Sequence, residues 1–267
     1  MTKITIVNGG SQGLGEAVAR RLVEQGSGGL VLTGRSLDRG QALAAELSAA
    51  GTPTLFAHVD MAEPGAPQRV VDMCAERFGT VNGLVNVAAA TTRRTLWQDT
   101  PEHFDAMMHL NVSVPYFLIQ AASKLMVSTG AKGSIVNVGS TCGHGGPSKL
   151  SAYSISKGAL ATMTRNLSFA LMRHNVRVNQ VNPGWMDTES EHRTQTVEDK
   201  APENWLELAE AGRPMGRLVK PWEVANLIVF CLSDESGLFT GNLMDVDQSV
   251  LGAGDLGIPS IADTPQL

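Results

Sequence analysis

Ile4-Thr5-Ile6-Val7-Asn8-Gly9-Gly10-Ser11-Gln12-Gly13-Leu14-Gly15 decides the fold: a β-branched run breaks into glycines and opens directly onto a helical pattern over 16–25. Four β-branched residues in a row suit a strand buried on both faces. The glycines permit a tight turn, and the helix behind them begins with unpaired N–H groups that favour an anion. Close approach of the backbone makes a pyrophosphate the natural occupant. A glycine-rich octamer alone is a weak signal, but one set between a strand and a helix is much stronger. The three residues between Gly9 and Gly13 depart from the tighter G-x-G-x-x-G spacing.

Working outward, short apolar runs alternate with longer helical patterns to the end of the chain. Strands are expected at 4–7, 30–33, 54–59, 83–87, 134–138, 176–181 and 243–246, and helices at 16–25, 37–50, 68–78, 101–128, 153–173 and 222–231. Nearly all-apolar strands joined by crossover helices imply an α/β fold, a doubly wound Rossmann-type parallel sheet of about seven strands covered on both faces. No linker-like tract divides residues 1–267, so a single domain is expected to carry both the dinucleotide site and the catalytic site. The stretch 187–212 breaks the alternation with Glu189, Glu191, His192, Arg193, Glu198, Asp199 and Lys200; it reads either as a partly helical substrate lid or as a solvated surface excursion. The tail 252–267 has no strong period and either crosses a neighbouring subunit or is mobile.

Composition narrows the class. Net charge is −5 with no lysine- or arginine-dense run, so nucleic-acid binding has no electrostatic footprint. Cys74, Cys142 and Cys231 are odd in number and lack C-x-x-C, which points to free thiols in a reducing compartment, not a disulfide frame or zinc site. No signal-peptide pattern leads into the first strand and no apolar window reaches membrane-spanning length; the expectation is a cytoplasmic protein without a membrane partner.

The chemistry concentrates in Ser151-Ala152-Tyr153-Ser154-Ile155-Ser156-Lys157. Four residues apart on a helix, Tyr153 and Lys157 share a face. Bringing a phenol from its reference pKa of about 10 to near 7 takes about 4 kcal/mol. One ammonium at ~4 Å and an effective dielectric of ~20 supplies roughly that. Alone, the pair reads equally as a buried tyrosine beside a snorkelling lysine.

Other motifs remove that ambiguity. Gly9, Gly13 and Gly15, then Asn86-Val87-Ala88-Ala89, Asn111, Ser140, Tyr153, Lys157 and Asn182-Pro183-Gly184 follow one another in order. Pro214-Met215-Gly216-Arg217, Pro221, Glu223-Val224-Ala225 and Thr240-Gly241 come after them. In type, order and spacing this set resembles the short-chain dehydrogenase/reductase family over about residues 3–250. The resemblance implies hydride transfer between a nicotinamide cofactor and a small carbonyl or alcohol substrate (a polyol, sugar, hydroxy acid or ketone). Tyr153 would exchange the proton, Lys157 would depress the Tyr153 pKa and hold the nicotinamide ribose, Ser140 would hold the substrate oxygen, and Asn111 would anchor a water linking Lys157 to solvent. The family also implies a homodimer or homotetramer built on the helices bearing Asn111 and Tyr153, where Leu160, Met163, Leu167 and Leu171 recur at helical spacing, as core or as contact.

By the same resemblance the cofactor would lie against Gly9, Ser11, Gln12, Gly13, Leu14 and Gly15 at its pyrophosphate. Asp60, Met61, Asn86 and Ala88 would stand on the adenosine side, and Pro183, Gly184, Met186 and Thr188 beside the nicotinamide, with Tyr153 and Lys157. Asp60 reads also as a turn carboxylate. Thr33-Gly34-Arg35-Ser36, at the end of the second strand, lacks the acid that would hold a ribose 2′-hydroxyl and offers a guanidinium and a hydroxyl suited to a 2′-phosphate. NADP(H) is therefore expected over NAD(H), with Arg35 and Ser36 as readers, although Gln12 stands where many NADP-preferring relatives carry a base.

Departures from the family pattern are Asn8 for a threonine, Val87 and Ala89 in the N-N-A-G motif, and Gln248 for a glycine; none removes a catalytic group. Substrate candidates are Arg94, Trp97, His144 and Trp185, the last as wall or as packing. No metal site is expected. The alternatives to an enzyme are a non-catalytic NADP-binding regulator on the same fold, or a scaffold subunit active only with a partner chain.

Overall fold

Seven parallel strands, β1 (Ile4–Asn8), β2 (Gly29–Gly34), β3 (Thr54–His58), β4 (Gly83–Asn86), β5 (Gly133–Val138), β6 (Val176–Pro183) and β7 (Leu243–Val246), form one sheet in the computed structural model, which describes residues 3–251. The tail 252–267 lies outside the described residues. Strand order is β3-β2-β1-β4-β5-β6-β7. The order reverses between β1 and β4, and at such a switch point the loops leave in opposite directions and open a crevice at the strand C-termini.

Alternation along each strand feeds two cores. Ile6, Val31, Leu84, Ile135 and Val178 point to the face covered by α3 (Ala66–Phe78), α5 (Val114–Ser128) and α6 (Ser151–Leu171). Val7, Leu30, Leu32, Val85, Val136 and Val181 point to the face covered by α1 (Gly13–Glu24), α2 (Leu37–Ala49) and α9 (Pro221–Leu232). Leu84 and Ile135 lie fully buried at the sheet centre; burial of side chains this size contributes about 1.5–3 kcal/mol each. Among the described residues no helix is long and apolar enough to cross a membrane.

The helix expected over 101–128 is interrupted. α4 (Pro101–Met108) joins α5 through a π turn, His109–Ser113, in which the Val114 N–H reaches back to the His109 carbonyl. Pro115 explains the break: it has no N–H to offer the carbonyl four residues earlier, which is Asn111. The 187–212 stretch is partly helical, with α7 (Glu189–Arg193), a π turn (Thr194–Glu198) and α8 (Trp205–Ala211).

The strands are less apolar than their pattern suggests. A buried polar ladder crosses the C-terminal half of the sheet: Asn86 Nδ2 donates to Asn137 Oδ1 (2.9 Å), Asn137 Nδ2 to Thr164 Oγ1 (2.9 Å), and Thr164 Oγ1 meets Gln180 Oε1 (3.1 Å). Gln180 Nε2 continues to Asn182 Oδ1 (2.7 Å), and Asn182 Nδ2 to Asp245 Oδ1 (2.8 Å). Paired in this way the buried amides fix the strand ends that carry the site.

Candidate active site

The turn after β1 is held from two sides. The Asn8 carbonyl accepts from Val87 N (2.9 Å) and Ala88 N (3.0 Å), which binds the loops after β1 and β4 across the switch point. Asn8 Oδ1 accepts from Thr33 Oγ1 (2.9 Å), which itself accepts from Gly9 N (3.0 Å), so Asn8 bridges to the turn through Thr33. Two glycines are sterically required. Gly9 sits at φ +82 with a hypothetical Cβ 2.8 Å from Ala88 N, and a Cβ on Gly15 would overlap the Gly9 carbonyl oxygen.

A pyrophosphate fits what the turn offers. Gln12, at the N-cap of α1, makes no side-chain bond to the first turn, leaving its N–H groups free for an anion. Asn8 Nδ2 is buried without a partner, and Asn8 lines the cleft. That cleft, about 960 Å³, runs from Arg35 and Ser36 at one end to Tyr153 and Trp185 at the other.

Ser140, Tyr153 and Lys157 share a stretch of its wall. Ser140 follows β5 and accepts from Cys142 N (3.1 Å), which sets its hydroxyl at the mouth of a short 3₁₀ turn. Lys157 Nζ donates to the Val138 carbonyl (2.8 Å) and lies 5.6 Å from the Tyr153 ring centroid. The electrostatics correct the expectation from sequence. Burial pushes the Tyr153 hydroxyl up to about 12, against a hydrogen bond with Ser140 that lowers it. Burial likewise pushes Lys157 down to about 8. Desolvation disfavours the charged form of both groups and outweighs the attraction that their spacing suggests. The protein's own groups hold Tyr153 neutral.

Asn111 stands behind this wall. Its Oδ1 accepts from Ala90 N (2.8 Å), and its Nδ2 reaches the Ala90 carbonyl and Ser156 Oγ (3.0 Å each), so the side chain clamps the loop after β4 to α6. Pro115 withholds a helical donor from the Asn111 carbonyl.

The other expected residues divide. Gly9, Ser11, Gln12, Gly13, Leu14, Asp60, Met61, Ala88, Pro183, Gly184, Met186 and Thr188 all line the cleft. Gly15 and Asn86 do not: Gly15 packs under the turn and Asn86 begins the polar ladder. Asp60 also accepts from Ala62 N (2.9 Å) as a turn carboxylate, and Thr188 caps α7 at Glu191 N (3.1 Å). Of the substrate candidates only Trp185 lines the cleft. Trp97 is 91% exposed, and His144 Nε2 bonds the Asp245 carboxylate (3.0 Å). Arg94 pairs its backbone with Leu150 in an isolated parallel bridge, and in an extended segment neighbouring side chains point oppositely, so Arg93 enters in its place.

Sequence reasoning missed a charged cluster there. Arg93 pairs with Glu191 (2.9 Å) and with Asp199; Lys149 also reaches Asp199 (3.1 Å). Glu191 further accepts from Trp185 Nε1 (2.8 Å) and Gln195 Nε2 (2.7 Å). At the opposite end Arg39 donates to Gln12 Oε1 (2.9 Å) and pairs with Glu189 (3.0 Å). Gln248 clamps Met215 N (2.7 Å) and the Arg217 carbonyl (2.6 Å), tying the return of the 187–212 stretch to the end of β7.

A family model described as enoyl-(acyl carrier protein) reductase matches residues 9–249. The chain is a short-chain dehydrogenase/reductase. This dehydrogenase/reductase is 32% identical to the NADP-dependent (R)-specific alcohol dehydrogenase of Lentilactobacillus kefiri, over 92% of this chain and 95% of that one. It is 30% identical to the 3-alpha-(or 20-beta)-hydroxysteroid dehydrogenase of Mycobacterium bovis, over 99% and 96%. Among solved structures it is similar to L-sorbose reductase from Gluconobacter frateurii complexed with NADPH and L-sorbose, with TM-score 0.88, 27% identity and coverage of 94% and 97%. The short-chain dehydrogenase/reductase is a nicotinamide-dependent oxidoreductase.

Proposed function

We propose that the chain is an NADP(H)-preferring carbonyl reductase or alcohol dehydrogenase acting on a small substrate, with Tyr153 exchanging the proton, Ser140 holding the substrate oxygen, and Lys157 and Asn111 supporting Tyr153. The observation that carries the reading is one cleft whose wall holds Ser140, Tyr153 and Lys157 and whose other end is an uncapped helix N-terminus behind a glycine turn. When bound, the cofactor supplies the hydride; the protein orients the carbonyl and delivers the proton. The relatives act on alcohols, hydroxysteroids and L-sorbose as their names state, which supports a carbonyl or hydroxyl at the reacting carbon. The test is absorbance at the reduced-cofactor band, with both cofactors against polyols, sugars, hydroxy acids and ketones. Cofactor binding without turnover on any of them would favour the regulator reading.

Preference for NADP(H) is supported by Arg35 and Ser36 at one end of the cleft and by Arg39, whose guanidinium stands beside Gln12 and supplies the second base the sequence seemed to lack. Charge-assisted bonds to a 2′-phosphate contribute about 1.5–3 kcal/mol each, or roughly 10- to 100-fold in affinity. Arg35→Ala is expected to weaken NADPH binding by about tenfold or more, and Arg35→Ala with Arg39→Ala further, while NADH affinity holds. Equal losses for both cofactors in a titration would refute the assignment. Residues 187–212 act as the lid in this reading, since Thr188, Glu191 and Gln195 line the cleft and Glu189 reaches across to Arg39.

The same reading makes the protein a homodimer or homotetramer through α5 and α6. Support comes from exposed apolar side chains on those helices: Phe117, Ile155 and Phe169, the last 77% exposed. The residues expected from helical spacing serve the core instead, with Leu160 buried and Met163, Leu167 and Leu171 packed on the sheet side. Phe169→Lys is expected to shift the mass measured by light scattering toward the protomer; an unchanged mass would remove α6 from the interface. The three unpaired cysteines support a reducing, cytoplasmic location.

A further inference from the structure

We propose that the substrate is an anion, an oxo acid or its hydroxy acid, and that Arg213 binds its carboxylate; this rests on the oxidoreductase reading above. Arg213 follows α8, lines the cleft together with Ser140 and Tyr153, and places its guanidinium carbon over the Trp185 ring, 5.1 Å from the centroid. Every other cation at this end is engaged: Arg93 with Glu191 and Asp199, Lys149 with Asp199, Lys157 with the Val138 carbonyl. The Arg213 guanidinium makes no hydrogen bond or ion pair with any described residue, and its Nε is shielded from solvent without a partner.

The acids nearby do not answer it. Glu191 already accepts from Arg93, Trp185 and Gln195. Asp247, also on the cleft, accepts from Ser249 and forms no ion pair with Arg213. A guanidinium held over an indole, its N–H groups unpartnered, can offer two of them to the two oxygens of a carboxylate. Trp185 is itself fixed from both sides, by its bond to Glu191 and by stacking on Trp205 at 6.1 Å between centroids. Neutral polyols or sterols would leave this cation unanswered. The residue lies just before Pro214-Met215-Gly216-Arg217 and belongs to none of the motifs that define the family reading.

The chemistry balances without a further reactant. A bound reduced nicotinamide would supply the hydride for the carbonyl carbon; Tyr153 would give its proton to the carbonyl oxygen, forming the hydroxy acid, and the phenolate left behind would recover a proton from solvent. The carboxylate is unchanged and serves only as the handle.

The test compares acetoacetate, 2-oxobutanoate and 4-oxopentanoate with their methyl esters, under NADPH, for the full chain and for Arg213→Met and Arg213→Lys. At least one acid is expected to exceed its ester by about tenfold or more in kcat/KM, as a charge-assisted pair implies. Arg213→Met should abolish that preference by raising KM for the acid about tenfold or more beyond any change for the ester, and Arg213→Lys should restore part of it. Esters preferred by the wild type, or equal losses on acid and ester in the Met variant, would overturn the proposal and leave Arg213 as packing for Trp185. Tryptophan fluorescence separates the two readings. Quenching by the oxo acid in wild type but not in Arg213→Met, with no turnover of either series, would keep the anion site and sink the oxidoreductase reading. Neither quenching nor acid preference would sink the anion site alone.

Discussion

Tyr153→Phe is expected to lower turnover by about 10²- to 10⁴-fold, the range over which a positioned proton carrier works. The change deletes one hydroxyl and keeps the ring packed in α6, so cofactor affinity should stay within about twofold. Its size follows from the state in which the protein holds the phenol. Burial raises its pKa to about 12, so the group arrives at the reaction protonated, and Ser140 beside it shares a hydrogen bond. In the proposed reaction, removing the phenol would leave the substrate oxygen Ser140 as a hydrogen-bonding partner but take away its acid. The measurement is kcat with both substrates saturating, paired with a cofactor titration. Unchanged turnover would refute the assigned proton donor, and a parallel loss of cofactor binding would show a structural effect instead.

Lys157→Met should be as damaging to catalysis and should remove a pH dependence of stability. Burial lowers the lysine from its usual 10.5 to about 8. Between these values the unfolded chain holds a proton that the folded chain has released, so unfolding takes up a proton and stability rises with pH. The penalty for charging Lys157 is full below pH 8 and gone above the unfolded value. From about pH 7.5 to about 9.5 the wild type should therefore gain roughly 2 kcal/mol over Lys157→Met. Above pH 10 the raised Tyr153 acts in the opposite sense, because the folded state then keeps the proton that the unfolded chain loses. Urea titrations at a series of pH values would give both curves; parallel curves would show that the ammonium is not desolvated as the fold implies. Loss of the 2.8 Å bond to the Val138 carbonyl works against the variant at every pH, so the slope and not the offset is diagnostic.

Much of the site was legible before any coordinates. Four β-branched residues, a glycine turn and a helix are local signals, and Gly9 and Ser11 to Leu14, which they single out, line the cleft. The Tyr153-to-Lys157 spacing is also local, since helical geometry alone puts both on one face. Pro115, four residues after Asn111, was a readable sign that the helix would open there. The polar run Asn179-Gln180-Val181-Asn182 in an otherwise apolar strand was another, and the ladder through Thr164 explains why it is tolerated. Neither sign could be used until the partner elements were known.

Sequence alone determined the order of the elements, pointed through their alternation to a parallel sheet, and put Tyr153 and Lys157 on one helix face, because these are read from local runs and spacings. Tertiary structure alone decided which of Arg93 and Arg94 faces the cleft, that Arg39 reaches Gln12 and Glu189, and that His144 belongs to Asp245. It also reversed the expected direction for Tyr153. Each of these turns on contacts between distant parts of the chain or on the removal of water from a group. Spacing along a sequence measures neither, and desolvation is as large as the attractions it opposes.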